Sequence, residues 1–291
     1  MIENITAKDF EIFRNFVKES CGISLSYDRL FLIERKLEPI FKSFEFSDFS
    51  EFYEKLTSIN GFFLREKLFD AITTNETCFF RDGHPFETFR NLVMPKIEFW
   101  LKNKSGGKKP GVRIWSAGSS TGQEPYSIAM IINQYASLMN SFSPDQIEIF
   151  ASDISSGALG RAISGQYTSS QVKRGLSEQN LSIYFQQAGN KWIIDQKIRN
   201  MVEFKRVNFM ENLSSLGKFD VIFFRNVLIY FDSATKTKIL EKIYEMLSDD
   251  GYLFIGASEM IMGTDAGFKS ERYDQTIFYK KVLPQTNLSS E

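Results

Sequence analysis

Up to about residue 80, apolar residues recur at intervals of three or four, which is the spacing of a helix with one buried face. Thr6, followed by Asp9, is a typical N-cap, and Gly22 is a typical C-cap for the first helix. Three further helices are predicted, the first two starting near Asp28 and Asp48. Their buried stripes are, in order, Leu30, Ile33, Leu37 and Phe41; Phe49, Phe52, Tyr53 and Leu56; and Leu64, Leu68 and Phe69. This unit is therefore predicted to be all-helical.

Beyond residue 111 the pattern changes to short apolar runs that alternate with helical stretches. Strands are predicted at residues 112–115, 147–153, 202–208, 219–226, 251–257 and 275–282. The helix after the first strand buries a stripe that begins at Ile128, and a later helix begins at Asp232 or Ser233. Alternation of this kind predicts an α/β fold with a doubly wound, mostly parallel sheet.

Residues 164–201 interrupt the alternation, because this stretch is too long for a simple crossover between two strands. A helix is predicted at 177–185, and Trp192–Ile194 after Gly189 predicts a small antiparallel hairpin inserted beside the sheet. The polar, Gly-rich loop 102–111 precedes the first strand, and we place the domain boundary ahead of the helix that leads into it. The prediction is a helical domain with its linker at 1–88 and an α/β domain at 89–291.

The first predicted strand ends in a small, Gly-rich turn. Gly118 and Gly122 have no Cβ that would keep a ligand away from the backbone. The dinucleotide pattern Gly-x-Gly-x-x-Gly is absent, and no Lys-Ser or Lys-Thr follows Gly122 as in a phosphate-binding loop. Taken alone, the turn fits a structural turn in any α/β protein as well as it fits a nucleotide site.

Polar side chains follow the buried strands of the predicted sheet. Asp153 ends the second strand, Asn208 the third, and Arg225 with Asn226 the fourth. Ligands of such sheets bind beyond the carboxyl ends of the strands, where an acidic residue can accept both hydroxyl groups of a ribose. From its position alone, Asp153 fits that role and the N-cap of a following helix equally well. Arg225 directly follows a buried apolar run, which favours a functional role over a structural one.

Composition narrows the class of protein. With 43% hydrophobic residues the chain can form a sizeable core, and a net charge of -1 gives no general attraction to nucleic acid. The two cysteines, Cys21 and Cys78, lack metal-ligand spacing; they indicate reduced thiols in a cytoplasmic protein, and no metal site is predicted. No apolar run approaches the roughly 20 residues of a membrane span, and the N-terminus lacks the features of a signal peptide.

Four segments, in order along nearly the whole chain, carry a resemblance to a known family. They are Thr73-Thr74-Asn75-Glu76-Thr77-Cys78-Phe79-Phe80-Arg81, the glycine turn from Ser116 to Ser127, Ala151-Ser152-Asp153-Ile154, and Phe224-Arg225-Asn226-Val227-Leu228-Ile229-Tyr230-Phe231. The chain thereby resembles the chemotaxis receptor methyltransferases (CheR). The resemblance implies transfer of a methyl group from S-adenosylmethionine to glutamate side chains of bacterial chemoreceptors. The products would be a glutamyl γ-methyl ester and S-adenosylhomocysteine.

The resemblance also implies roles for individual residues. Contact with S-adenosylmethionine is expected from Asn75, Thr77, Arg81, Glu124, Asp153, Asn208, Phe209, Arg225 and Asn226. Glu124 and Asp153 are expected at the amino-acid and ribose parts. Asn208 with Phe209, and Arg225 with Asn226, are expected to flank the adenosine. Tyr230 and Arg81 are expected near the transferred methyl group, as the catalytic residues.

The chemistry of ester formation fits these residue types. A glutamate carboxylate is ionised at neutral pH, so it is already a nucleophile and no general base is required. The reaction needs an in-line approach of the carboxylate oxygen to the methyl carbon, which Tyr230 can orient through a hydrogen bond. Arg81 is expected to hold the carboxylate of the cofactor, because a tight ion pair with the substrate would quench the nucleophile. The lone histidine, His84, is expected in a surface or packing role.

Basic residues on the second helix are candidates for contact with the receptor. Receptor methylation regions in this family are acidic helical bundles. The basic residues of this helix are Arg29, Arg35, Lys36 and Lys42. They form either an ordinary solvated face or a docking face for the receptor. Some members also bind a C-terminal receptor peptide through a glycine-bearing hairpin. Here the stretch 187–192 has a single glycine and is short, so we expect a hairpin that does not bind that peptide.

Two other functions stay open. One is a methyltransferase for another protein, a small molecule or nucleic acid. Against nucleic acid stand the near-neutral charge and the turn Arg225–Leu228, which replaces the Pro-Pro-aromatic turn of enzymes that methylate amino groups of nucleic acids. The other is a non-catalytic module that senses the cofactor.

Overall fold

The computed structural model describes residues 5–103, 111–261 and 267–283, so most of the predicted loop 102–111 lies outside the described residues. The helices are α1 Ala7–Cys21, α2 Leu30–Phe44, α3 Phe49–Thr57, α4 Phe62–Ile72, α5 His84–Thr88, α6 Met94–Asn103, α7 Gln123–Met139, α8 Ser156–Ser164, α9 Ser169–Lys173, α10 Glu178–Tyr184, α11 Gln196–Arg199 and α12 Ser233–Met246. The strands are β1 Val112–Ala117, β2 Ile147–Asp153, β3 Gln166–Thr168, β4 Phe185–Ala188, β5 Lys191–Ile194, β6 Val202–Arg206, β7 Phe219–Phe224, β8 Leu247–Ile255, β9 Phe268–Tyr273 and β10 Thr276–Lys281.

The first four helices form the predicted all-helical unit. At its start, Thr6 and Asp9 make a reciprocal capping box, in which the Thr6 N–H donates to the Asp9 carboxylate at 3.0 Å. α1 ends at Gly22, where φ is +79° and an added Cβ would lie 2.9 Å from the sulfur of Met210. The core of the unit is largely aromatic and aliphatic side chains from all four helices, among them Phe13, Leu37, Phe52 and Leu68. The four predicted helices are thereby confirmed.

A seven-stranded sheet in the order β6-β2-β1-β7-β8-β10-β9 forms the centre of the rest of the chain. The first five of these strands run parallel, and β10 and β9 complete the sheet in antiparallel pairing. β1 has β2 on one side and β7 on the other, so the strand order reverses at β1 and a crevice opens beyond the carboxyl ends. The predicted doubly wound, mostly parallel sheet is confirmed. β9 was not predicted, because an edge strand with the sequence FKSERY has almost no apolar face.

The sheet is covered on both faces by helices. Ile114 of β1 belongs to the core beneath α7, whereas the next residue, Trp115, belongs to the core beneath α12. α5 and α6 join through a π-helical turn, Phe89–Val93, so residues 84–103 form one helical segment. The predicted division between residues 88 and 89 falls inside this segment.

The interruption at 164–201 is a small antiparallel sheet in the order β3-β5-β4, with α9 to α11 around it. The predicted hairpin is β4–β5, which turns at Gly189, and the predicted helix is α10, capped by Ser177. The sequence pattern did not reveal β3, because its outer residues, Gln166 and Thr168, are exposed and polar. The inserted subdomain is therefore confirmed with one more strand than expected.

The helical unit contacts the carboxyl edge of the large sheet mainly through polar groups. Lys18 pairs with Asp232 at 2.6 Å, and the Ser24 N–H donates to the Tyr230 carbonyl at 2.9 Å. Further along, α4 packs against α8. The end of α1 and the linker after α4 are thereby held over the crevice.

Candidate active site

One cavity of about 250 Å³ lies between the carboxyl ends of β1, β2 and β7, the linker after α4, and the end of α1. Every residue predicted for the site lines it: Asn75, Thr77, Arg81, Glu124, Asp153, Asn208, Phe209, Arg225, Asn226 and Tyr230. Cys21 and Ile23 of the helical unit line it as well, and no sequence signal indicated them. Burial raises the pKa of Cys21 to about 12, so its thiol is neutral at physiological pH.

The glycine turn forms the floor of the cavity. At Gly118 φ is +79°, and an added Cβ would lie 2.5 Å from Val227, so a larger residue cannot be accommodated there without movement. The N–H groups of Gly118 and Ser119 both donate to the Ser152 carbonyl at 2.8 Å. The Ser120 hydroxyl donates to the carbonyl of Asn75 at 3.1 Å, which ties the turn to the linker.

Asp153 lies at the end of β2 and is 8% exposed. One carboxylate oxygen accepts from the Ser120 N–H at 2.8 Å and the other from the Ser155 N–H at 2.9 Å. Burial raises its pKa, and these backbone donors oppose the rise by stabilising the charged form. Each oxygen has a second lone pair, so the carboxylate can still accept the hydroxyl groups of a ribose. The alternative role as a helix cap is wrong, because Ser155 caps α8.

Arg225 lies at the end of β7, and its side chain is 1% exposed. Its guanidinium pairs with Glu124 at 2.9 Å and with Asp82 at 2.7 Å, and it donates to the Arg81 carbonyl at 2.8 Å. Ser116 donates to the other oxygen of Glu124 at 2.8 Å. Arg225 therefore joins the sheet, the start of α7 and the linker. Sequence reasoning missed Asp82, because a partner 143 residues away leaves no spacing signal.

The loop after β7 carries Asn226 and Tyr230. Asn226 has φ of +59°, and its N–H donates to Glu259 at 2.8 Å. The same oxygen of Glu259 accepts from the Gly256 N–H at 2.7 Å, so the ends of β7 and β8 share one carboxylate. Sequence reasoning missed Glu259, although it follows the end of a buried strand as Asp153 and Arg225 do.

The two predicted catalytic residues lie at the rim of the site. Tyr230 is half-buried, and within the described ranges no hydrogen bond engages its hydroxyl. Arg81 is also half-buried and donates to the Glu76 carbonyl at 3.2 Å. Around them the backbone has positive φ at non-glycine residues, namely Phe80, Asp82, Ser120 and Asn226. Such conformations cost roughly 1–3 kcal/mol each and cluster at functional sites.

Asn208 and Phe209 form the wall nearest the helical unit. The Asn208 amide donates to the carbonyl of Ser20 at 2.7 Å, and its oxygen accepts from the Met210 N–H at 3.0 Å. The ring of Phe209 packs against Phe224 with the ring centroids 5.2 Å apart. This wall is therefore apolar at Phe209 and anchored to α1 through Asn208.

His84 lies away from the cavity. Its Nδ1 is 2.8 Å from the Thr276 hydroxyl, which also accepts from Thr88 at 2.7 Å. His84 is thereby hydrogen-bonded to the start of β10, and its expected surface or packing role stays a prediction. Across the described ranges, no helix is both long enough and apolar enough to cross a membrane.

The residues present fit S-adenosylmethionine. Gly118, which has no Cβ, adjoins a buried carboxylate with free lone pairs, and the apolar ring of Phe209 lines the same cavity. The fold and this crevice define the class of doubly wound enzymes that bind a nucleoside-containing cofactor.

Comparison with known proteins gives the family. The description "CheR methyltransferase, SAM binding domain" matches residues 75–277, and "CheR methyltransferase, all-alpha domain" matches residues 8–73. The chain is 37% identical to Chemotaxis protein methyltransferase Cher2 of Pseudomonas putida over 273 residues, covering 94% of this chain and 97% of that protein. It is 35% identical to Chemotaxis protein methyltransferase 1 of Vibrio cholerae over 277 residues, covering 95% and 98%.

Among solved structures, DszA carbon methyltransferase aligns with a TM-score of 0.38 at 17% identity, over 87% of this chain and 53% of that one, a similarity too low to carry an argument. The chain belongs to the CheR methyltransferase family. It is an S-adenosylmethionine-dependent methyltransferase.

Proposed function

We propose that this enzyme methylates glutamate side chains of bacterial chemoreceptors, forming glutamyl methyl esters during chemotactic adaptation. One observation carries the proposal beyond the family: the cavity joins a cofactor crevice to a rim with Tyr230 and Arg81, while His84 is engaged elsewhere. A site without a histidine base suits a nucleophile that is already ionised, as a glutamate carboxylate is at neutral pH.

The cofactor-binding roles follow from the contacts. Asp153 is proposed to accept the ribose hydroxyl groups, and Glu124 to accept the cofactor ammonium group. The two terminal nitrogens of Arg225 pair with Glu124 and Asp82, so Arg225 is proposed to orient Glu124 and, with Asn226, to flank the adenosine. The remaining contacts are proposed from Asn75, Thr77, Asn208, Phe209 and Asn226, which line the same cavity.

Tyr230 and Arg81 are proposed to act at the transferred group. When bound, S-adenosylmethionine supplies a methyl group on a positively charged sulfur. The Tyr230 hydroxyl donates to one oxygen of the substrate carboxylate and aims the other at the methyl carbon. Arg81 holds the cofactor carboxylate, which keeps the substrate oxygen free of a competing cation.

The receptor is proposed to dock on α2. Its exposed face carries Arg35 beside Phe31, which is 65% exposed, with the guanidinium 5.8 Å from the ring centroid. Lys36 reaches toward the Ile72 carbonyl at 3.4 Å, next to the cavity. Lys42 pairs with Glu38 at 2.8 Å, and the side chain of Arg29 lies outside the described residues. Arg35, Lys36 and Lys42 are proposed as the docking charges of α2, and Arg35 and Lys36 are adjacent and can be reversed together.

Residues 1–88 are proposed as the docking domain with its linker and 89–291 as the methyltransferase domain. The β4–β5 hairpin is proposed not to bind the C-terminal receptor peptide, because its turn has only Gly189 and Asn190 between the strands. The enzyme is expected to act in the cytoplasm on receptor helices, without binding nucleic acid. Micromolar binding of the peptide in calorimetry would refute the statement on the hairpin.

The central test is transfer of a radiolabelled methyl group to a purified receptor cytoplasmic fragment. The expected product is labelled receptor that releases methanol on treatment with base, as an ester does. Label that resists base, or label found only on small molecules, would point to another methyltransferase. Cofactor binding without any transfer would point to a non-catalytic module.

Docking is tested by reversing charge on α2. Arg35→Glu with Lys36→Glu is expected to lower receptor methylation about tenfold while leaving S-adenosylhomocysteine affinity unchanged, because the charges steer the receptor and not the cofactor. Lys191→Glu with Lys197→Glu, in the inserted subdomain, makes the same change of net charge and is the control. Equal methylation by the two double variants would exclude the docking role.

A further inference from the structure

Asp70, near the end of α4, contacts the methyltransferase domain at the point where α8 begins. One oxygen of its carboxylate accepts from the Ser155 hydroxyl at 2.7 Å and from the Gly157 N–H at 3.0 Å. Ser155 is 1% exposed, and its hydroxyl in turn accepts from the Ala158 N–H as the cap of α8. Asp70 thus fixes both the side chain and the backbone of this short turn.

The same turn holds the buried carboxylate of the cofactor site. The Ser155 N–H donates to one oxygen of Asp153, and the Ser120 N–H donates to the other. A continuous series of hydrogen bonds therefore runs from Asp70 in the helical unit through Ser155 to Asp153. From there it continues through Ser120 to the linker carbonyl of Asn75.

A neighbouring contact lacks this connection. Glu66, one turn earlier on α4, accepts from the Ser156 hydroxyl at 3.0 Å and lies 3.8 Å from Nε of Arg206. It crosses the same interface with the same chemistry, but neither of these partners hydrogen-bonds Asp153. Variants of Glu66 and Asp70 can therefore be compared to distinguish a general loss of interface stability from a specific effect on the cofactor site.

We propose that Asp70 is a positioning residue for cofactor binding, which acts through Ser155 to hold Asp153 in the orientation that receives the ribose hydroxyl groups. The inference rests on the proposed role of Asp153. Without the Asp70 carboxylate, the Ser155 hydroxyl and the Gly157 N–H lose their acceptor, and the turn gains conformational freedom. The carboxylate of Asp153 then has to be ordered when the cofactor binds.

The experiment compares full-length variants by calorimetry with S-adenosylhomocysteine. Asp70→Ala is expected to raise Kd about tenfold, the cost of ordering one side chain on binding, and Glu66→Ala less than about twofold. Asp70→Asn is expected to stay near the wild type, because its amide oxygen still accepts from Ser155 and Gly157. In steady-state methylation, Asp70→Ala should raise KM for S-adenosylmethionine and leave kcat unchanged.

A ribose-modified ligand makes the test specific. For the 2′,3′-dideoxy analogue of S-adenosylhomocysteine, Asp70→Ala and the wild type should bind with similar affinity, because both hydroxyl groups that Asp153 would accept are already missing. Equal weakening toward both ligands, or equal effects of Asp70→Ala and Glu66→Ala, would overturn the inference. If Asp70→Ala does not fold, Asp70→Ser, whose hydroxyl is too short to reach the turn, is judged by the same criteria.

The inference and the proposed site fail in different ways. Asp153→Ala is expected to weaken S-adenosylhomocysteine binding strongly. If it does not, the placement of the cofactor is wrong, whatever Asp70 does. If Asp153→Ala weakens binding while Asp70→Ala binds as the wild type does, the site stands and only the positioning role is refuted.

Discussion

The helical unit and the α/β domain differ in what holds them together and in what they contribute to the site. Each has its own hydrophobic core, one within α1–α4 and two on either side of the sheet. Between them the contacts are largely polar, as in the pairs Lys18–Asp232 and Asp70–Ser155, with Ile23 and Ile154 as apolar additions. Each unit therefore has a core of its own, whereas the cavity exists only where the two meet.

This difference has a consequence for the enzyme. The sheet side of the cavity is held by buried, charged hydrogen bonds at Arg225 and Asp153, which keep it ordered before ligands arrive. The helical side is held by exchangeable polar contacts, as in domain interfaces that allow relative motion. We therefore expect the sheet side of the cavity to be the more rigid and the helical side the more adjustable.

The largest effect is expected from removing Arg225 from the buried cluster that it forms with Glu124 and Asp82. Arg225→Met leaves Glu124 and Asp82 without their partner, so it should cost about 3–5 kcal/mol of unfolding free energy and abolish cofactor binding. Urea unfolding and calorimetry measure both. Arg174→Met removes a pair with Glu76 in which both side chains are more than half exposed, and should cost at most about 1 kcal/mol. Equal costs would contradict the claim that burial makes the Arg225 cluster special.

Nearly as large an effect is expected in the helical core. Phe52 is fully buried, and Phe52→Ala should cost about 3–5 kcal/mol through the cavity that it leaves. If the two units have separate cores, only the unfolding transition of the helical unit should move in calorimetric scans. The matched change in the sheet, Phe223→Ala, should move the other transition. A single transition that shifts equally in both variants would mean that the units unfold as one.

A smaller effect is expected from changing Tyr230, which is proposed to act at the transferred methyl group. Tyr230→Phe should lower kcat for methyl transfer about 100-fold, since the carboxylate loses the group that aims it, and leave S-adenosylhomocysteine affinity unchanged. Tyr244→Phe is the control, because that hydroxyl donates to the Val282 carbonyl away from the site. Normal kcat in Tyr230→Phe would exclude the orienting role.

The smallest effect is a pH dependence of the polar interface. Lys18 and the α12 cap lower the pKa of Asp232 from 3.8 to about 2. A lowered pKa in the folded state stabilises the protein above about pH 4, and this contribution is lost as the pH falls toward 2. Asp232→Asn keeps the cap and removes the charge, so it should cost at most about 1 kcal/mol at pH 7 for this partly exposed pair. The variant should also lose that part of the acid dependence in unfolding experiments.

Lys18→Ala provides the complementary measurement, because it removes the partner and leaves the carboxylate. Its stability should also depend less on pH between about 4 and 2 than that of the wild type. An unchanged pH profile in both variants would show that the contact contributes nothing to the interface.

Local patterns were sufficient for most elements of the fold. The capping pair Thr6–Asp9, the stripes of α1 to α4 and the apolar runs of β1, β2 and β7 act over a few residues, so they are visible in the sequence. β3 and β9 were not predicted, because β3 has only three residues and β9 is a charged edge strand. β3 pairs with β5, beyond α9 and α10, whereas β9 pairs with β10, the next strand in the chain.

For the candidate site, the sequence likewise indicated which residues take part but not what they contact. Position after a buried strand singled out Asp153, Arg225 and Asn226, and the resemblance added Tyr230 and the linker. What those residues contact was not predictable. Arg225 meets Asp82 across 143 residues, and Asp70 meets Ser155 across 85.

The sequence by itself determined the two units, the sheet with its glycine turn, and the polar residues at the strand ends, because all of these follow from periodicity and from caps within one element. Only the tertiary structure decided that Arg225 is a buried bridge, that Glu259 holds the Tyr230 loop, and that Asp70 reaches the cofactor turn. The physical reason is that charge pairing and burial depend on distance in space, and partners that are far apart in the chain produce no local pattern in the sequence.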